Sequence, residues 1–170
     1  MFSKLITLAT VGLLLAACTI PPAPQNRQEL ITAIEKGATF TQHETHIIKR
    51  PINQVYNSLR PKVRKCLAVK ITSTMQQGYG IHTSTSIYRP SMRKVSKSRA
   101  EISLQVEHIP RGIGGDTMPK GGYFIIASDI EAVAKNRTKI TTYGPSVGHD
   151  DLFVALKNWA QGKNTPCPDM

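Results

Sequence analysis

The side chains able to do chemistry in this 170-residue chain are five histidines, three cysteines, and 22 lysines and arginines set against 11 aspartates and glutamates. His43 and His46 are the one close histidine pair. On a strand, residues three apart face opposite sides of the sheet, so these two cannot share a metal ion. His149 precedes Asp150 and Asp151, a grouping that suggests acid–base work. Carboxylates there are better explained as charges at the positive end of a helix dipole, and no nucleophile can be placed beside them. The glycine-rich stretch 111–122 has the outline of a phosphate cradle. It lacks the Gly-Lys-Ser/Thr ending and precedes a strand, so no helix dipole backs it, and it reads as a flexible connection or a rim loop. Nucleophile-elbow and metalloprotease signatures are absent from the sequence. The expectation is a protein with no catalytic, cofactor-binding or metal-binding residues.

The cations are the stronger signal. Formal net charge is +11, and the basic residues gather in two runs without a single acid. Between Lys49 and Lys70 lie seven, among them Arg60, Lys62, Arg64 and Lys65; between Arg89 and Arg99 lie five, including Arg93, Lys94, Lys97 and Arg99. Each run reads either as a solvated face or as a surface for an anion, worth about 1 kcal/mol per Lys or Arg beside an anionic membrane. Nucleic acid is disfavoured, because neither run interleaves its cations with stacking aromatics.

The elements that position these residues follow from periodicity. The length is that of one domain, and 40% apolar residues suffice for a core. Arg27–Lys36 predicts a short helix ended by Gly37, and Thr39–Lys49 a first strand. Ile52, Val55, Tyr56, Leu59, Val63, Cys66 and Leu67 form one apolar stripe at helical period. Pro61 falls inside it and predicts a kink or a split into two short helices. After Leu67 the period becomes two. Val69–Thr72 and Ile81–Tyr88 read as strands around a turn at Gln76–Gly80, with Arg89-Pro90-Ser91 as a break. Ile102, Leu104 and Val106 alternate with polar residues, and Tyr123–Val133 with Arg137–Tyr143 reads as a hairpin. A last helix carries Leu152, Leu156, Trp159 and Ala160, with Ser146 as its N-cap and Gly162 as its stop. The order is mostly antiparallel α+β, about six strands with an N-terminal and a C-terminal helix, and no βαβ alternation.

Residues 1–17 hold one cation, Lys4, then an apolar run from Leu5 to Leu15. That run is too short for a ~30 Å hydrocarbon core and reads as a signal-peptide segment. The tetrad Leu15-Ala16-Ala17-Cys18 resembles the lipobox of bacterial lipoproteins. The resemblance implies removal of residues 1–17 and acylation of Cys18, an effectively permanent anchor once two or three chains are attached. Thr19, rather than Asp, follows the cysteine. By the family's sorting pattern this implies the periplasmic side of the outer membrane rather than the inner membrane. Removing Lys4 leaves 21 basic and 11 acidic residues, a net +10. Residues 18–38 then read as a tether, stiffened by Pro21, Pro22 and Pro24, with the short helix, and residues 39–170 as the domain.

The element order resembles the helix-grip superfamily of steroid-transfer and polyketide-cyclase proteins, with Arg50-Pro51-Ile52-Asn53-Gln54-Val55-Tyr56 matching its entry into the first helix. The resemblance implies a curved antiparallel sheet around a C-terminal helix, and a pocket between them that often holds an apolar ligand. With Cys18 taken by lipid, Cys66 and Cys167 remain, and in an oxidising envelope an even remainder implies a disulfide. Two functional classes follow. One is a non-enzymatic accessory whose basic surface meets an anionic lipid, a glycan or an envelope protein. The other is a carrier of a small apolar ligand.

Overall fold

The computed structural model describes residues 23–77, 80–111, 119 and 121–170. Within them the chain forms α1 (Arg27–Glu35), β1 (Thr41–Ile48), α2 (Ile52–Leu67), β2 (Lys70–Gln77), β3 (Gly80–Lys94), β4 (Arg99–Arg111), β5 (Tyr123–Ala134), β6 (Arg137–Pro145) and α3 (Asp150–Ala160). The strands make one curled antiparallel sheet in the order β1-β6-β5-β4-β3-β2. This is the α+β, helix-grip-like arrangement expected, with the C-terminal helix in place.

The sheet carries helices on both faces. On the inner face, α2 lays down Val55, Leu59, Val63 and Leu67 and α3 lays down Leu152, Leu156 and Trp159, all 1% exposed or less, against Ile102, Leu104, Ile126, Ile130 and Ile140. Each such side chain stabilises the fold by about 1.5–3 kcal/mol. Close approach of α3 requires Gly144, because a Cβ there would stand 2.4 Å from Ile126 Cδ1 and 3.3 Å from Phe153. The polar residues admitted to this core are paired: Ser128 and Thr142 share a buried hydroxyl bond of 3.0 Å. On the outer face, α1 seats Leu30, Ile31 and Ile34 around Ala127, Phe124 and Tyr143. At its start Asn26 Oδ1 accepts from the Glu29 N–H at 2.9 Å, and the Glu29 carboxylate reaches back past the N-cap to accept from the Gln25 N–H at 2.7 Å.

Three expectations change. Pro61 does not split α2, which runs as one element from Ile52 to Leu67. Pro61 and Asn57, whose carbonyl loses its partner, are both exposed, so water replaces the missing bond. Nor does Arg89-Pro90-Ser91 break a strand, since Pro90 pairs with Leu104 inside β3. Tyr88 donates its N–H to Val69 O on the β2 side, so two residues on Pro90 also turns its nitrogen that way, beyond the point where β2 begins. There the absent N–H has no partner to lose. Finally, Ser146 does not cap α3. Its N–H donates to Phe40 O at 2.9 Å, and the chain turns through Gly148 at φ +76° before His149 takes the N-cap position.

Candidate functional site

The solvent face of α2 is built by the same periodicity that buries its stripe. With Val55, Leu59 and Val63 turned inward, Arg60, Arg64 and Lys65 are exposed, and Ile52–Leu67 contains no acid. None of the three enters an ion pair or a side-chain hydrogen bond among the described residues. Arg60 and Arg64 repel one another at i,i+4 by about 0.2–0.5 kcal/mol, which the negative helix C-terminus beside Arg64 and Lys65 offsets. Lys62 is different. Its Nζ donates to Asn164 Oδ1 at 2.8 Å and to Thr165 O at 3.4 Å, which ties the C-terminal tail to α2.

Two further bonds hold that tail. Trp159 Nε1 donates to Thr165 O at 3.0 Å, and the sulfurs of Cys66 and Cys167 stand at bonding distance with their Cα atoms 5.1 Å apart. The cysteine pair expected from the sequence is therefore brought together, across 101 residues of chain. Arg50 is also committed. It donates to Ala160 O and Ser58 Oγ, both at 3.0 Å, and so serves the carbonyl end of α3. Gly162 makes room, since a Cβ there would lie 2.6 Å from the guanidinium.

The second basic run meets acids from neighbouring strands. Arg93 reaches Glu101 at 2.9 Å, Arg99 reaches Asp129 at 2.9 Å and Glu101 at 3.4 Å, and Arg89 pairs with Glu107. Arg27 of α1 joins at 2.9 Å from Asp129 and 3.8 Å from Glu101, so the network also fastens α1 to the sheet. The Asp129 hydrogen bond raises the Arg99 pKa, and the Arg89 hydrogen bond holds the Glu107 carboxyl below its ordinary range. Lys94 points to the other side of the sheet, where it donates to Asn53 Oδ1 at 2.9 Å and lies 5.0 Å from the Tyr56 ring centroid. Lys97, exposed in the β3–β4 turn, enters no ion pair among the described residues. Of the eight cations singled out in the sequence, Arg60, Arg64, Lys65 and Lys97 remain available and Lys62, Arg93, Lys94 and Arg99 are engaged.

The remaining candidates separate. His43 stacks on Tyr143 with centroids 5.7 Å apart, whereas His46 bonds Glu44 at 2.9 Å. His149 contacts Val147 O at 3.2 Å. Among the described residues no group of histidine, cysteine and carboxylate side chains could hold a metal ion. Cys18 with its lipobox, and residues 112–118 and 120 of the glycine-rich stretch, lie outside the described residues.

One hydrogen-bonded chain escaped the sequence reading. His108 Nδ1 lies 2.7 Å from Ser86 Oγ, and its Nε2 lies 3.2 Å from Tyr123 OH. Burial raises the phenol pKa of Tyr123, with Tyr88 adding to it, and that of Tyr88. The β3–β4 and β4–β5 registers together bring these groups side by side, and no spacing motif announces it.

No family model and no curated protein matches the chain. Among solved structures, a Staphylococcus epidermidis protein determined by NMR is 12% identical, with TM-score 0.32, over 72% of this chain and 87% of its own. A Chromobacterium violaceum protein determined by X-ray crystallography is 8% identical, with TM-score 0.31, over 73% of this chain and 93% of its own.

Proposed function

We propose that this is a lipid-anchored envelope protein, held through Cys18 on the periplasmic side of the outer membrane, that works without catalysis as a structural or interaction accessory. Its working surface is the α2 face, and its partner is an anionic group of lipid, glycan or protein. The observation that carries this reading is the set of Arg60, Arg64 and Lys65 on an acid-free helix, without ion-pair partners among the described residues. Interior packing favours it over a ligand carrier, because Trp159, Leu156, Leu152 and Phe153 occupy the space between α3 and the sheet.

The layering adds an orientation. Phe124 donates its N–H to Pro24 O at 2.9 Å, and α1 then crosses the outer face, so the chain arriving from Cys18 joins the domain away from α2. Six residues of tether reach at most about 20 Å. Among the described residues no helix is long and apolar enough to cross a membrane.

Co-sedimentation of the full chain carrying Cys18→Ala, which removes the acyl anchor, with anionic and with zwitterionic vesicles, across a salt series, tests the surface. Anionic vesicles should retain this chain at low salt and lose it once R60E/R64E/K65E is added, and equal retention of both would refute the assignment. Changing Cys18→Ala should release the protein from cell membranes, and continued attachment would refute the anchor. Native mass spectrometry that finds a co-purifying apolar molecule would favour the carrier instead.

A further inference from the structure

The sheet ends in two edges, and they are defended unequally. Along β1 the edge carries Glu44, His43 and His46. Along the upper part of β3, where β2 has not yet begun, it carries Arg89, Pro90, Arg93 and Lys94, a missing N–H set among charges. Charges and proline are the ordinary means by which an edge strand is kept from pairing with another chain. The β2 edge has neither beyond Lys70. The whole segment Ile71–Tyr88, which spans β2 and the β3 half paired to it, contains no Asp, Glu, Lys or Arg in a chain of net charge +11.

Backbone direction shows what that edge presents. Because Tyr88 donates to Val69 O, alternate residues of β2 from Ile71 onward bond inward to β3, and the N–H groups of Lys70, Thr72, Thr74 and Gln76 point outward. Among the described residues no backbone group bonds to them. Residues 72–76 are exposed on both faces of the sheet, with Met75 61% exposed. With both its faces exposed over residues 72–76, β2 draws little from packing and most from its ladder with β3, here Thr72–Thr85 and Thr74–Thr83 hydroxyl contacts at 3.2 and 3.3 Å.

We infer that β2 is a self-association edge, and that a second copy of this chain adds its own β2 antiparallel to continue the sheet. Charge selects the occupant. Two copies of a protein this basic repel wherever cations face one another, and the uncharged β2–β3 ribbon is where they approach without that cost. The pairing is self-complementary: in a register centred on Ser73, the outward-facing Lys70 and Thr72 stand opposite Gln76 and Thr74 of the other copy, and no like charges are opposed. An antiparallel pair has its two-fold axis normal to the sheet. Both α2 layers therefore stand on one side of the dimer and both α1 layers on the other. Resting on the function proposed above, this turns both anchors one way and presents two cationic faces together to the anionic partner, which multiplies their hold.

Sedimentation equilibrium of the full chain in detergent tests the inference. Wild type should sediment as a concentration-dependent dimer. Thr74→Pro, which removes an outward N–H, and Thr74→Lys, which sets like charges near the two-fold axis, should each weaken dimerisation about tenfold or more. Circular dichroism of Thr74→Lys should match wild type, which separates loss of pairing from loss of fold. The R60E/R64E/K65E chain should dimerise normally, so that failure of the α2 surface and failure of the edge are distinguishable. A monomer at every concentration, or a dimer indifferent to Thr74→Lys, would overturn the proposal.

Discussion

The cations of α2 and those of the β3–β4 hairpin both stand in runs of sequence without an acid and differ in what their neighbours supply. On α2, the helical neighbours of each residue at three and four positions belong to the same acid-free helix, and among the described residues no carboxylate from another segment pairs with its exposed cations. In the hairpin, cross-strand register supplies the acids: Arg93 stands opposite Glu101, Arg89 two residues along from the partner of Glu107, and Arg99 beside the β5 residue Asp129. A strand thus acquires counter-charges from residues distant in sequence, whereas a surface helix keeps the charge its own sequence wrote. One basic run became part of the scaffold and the other stayed available to a partner.

The two regions are also held differently, one by a covalent link and one by ions. Replacing Cys66 and Cys167 together by serine should remove up to about 4.7 kcal/mol in the chain-entropy account of a ~100-residue loop. Thermal denaturation in the presence and absence of reductant checks this, since reductant should destabilise wild type and leave the double variant unchanged. On the other side, Glu101→Gln strands Arg27, Arg93 and Arg99 around a single remaining carboxylate, Asp129. Glu101 is only 8% exposed but Arg93 and Arg99 reach solvent, so the loss should be about 1.5 kcal/mol in denaturant unfolding. R60E/R64E/K65E should cost no more than about 0.5 kcal/mol in the same assay. A stability loss in the α2 variant equal to that of Glu101→Gln would erase the distinction between the runs.

Binding should divide them in the reverse sense. Reversal of Arg60, Arg64 and Lys65 should cost about 1 kcal/mol per charge in association with anionic vesicles. The counterpart R93E/K94E/K97E should lose less, chiefly through Lys97, and its principal defect should be structural. Vesicle co-sedimentation at several salt concentrations, paired with thermal midpoints, resolves the two effects. A larger binding defect in the hairpin variant would move the functional surface to the hairpin.

This division sets the limit of what could be read beforehand. The α2 stripe from Ile52 to Leu67 was legible residue by residue, because helical period is local and every stripe member is buried. The strand alternation at Ile102, Leu104 and Val106 was legible for the same reason. The cysteine pair followed from counting once Cys18 was set aside. What was not legible is whatever register decides. Arg93 and Arg99 looked as free as Arg60 and Arg64, Pro90 looked like a break because nothing marked where β2 begins, and Ser86, His108 and Tyr123 bear no spacing to one another until three strands align. Asn26 and Glu29 form a capping signal that was present in the sequence and went unread.

The smallest effects sharpen the contrast between the faces, because their titrating groups shift in opposite senses. Outer-face Glu107 has its pKa lowered, first by the Arg89 hydrogen bond. Its contribution is therefore present above the ordinary carboxylate value of 4.5 and is lost as pH falls through the lower, folded value. Inner-face Tyr88 has its pKa raised by burial, as has Tyr123, where the charge of Tyr88 adds to it. Folding favours the protonated phenol, so that contribution is whole below the ordinary value of 10.0 and is lost as pH rises through the folded one. Thermal midpoints across pH should then fall at both extremes, with Glu107→Gln flattening only the acid limb and Tyr88→Phe only the alkaline limb. Each variant leaves the other's partners in place, since Glu107 answers to Arg89 and Tyr88 lies against the inner core. If Tyr88→Phe altered the acid limb instead, the two faces of the sheet would be coupled rather than separate.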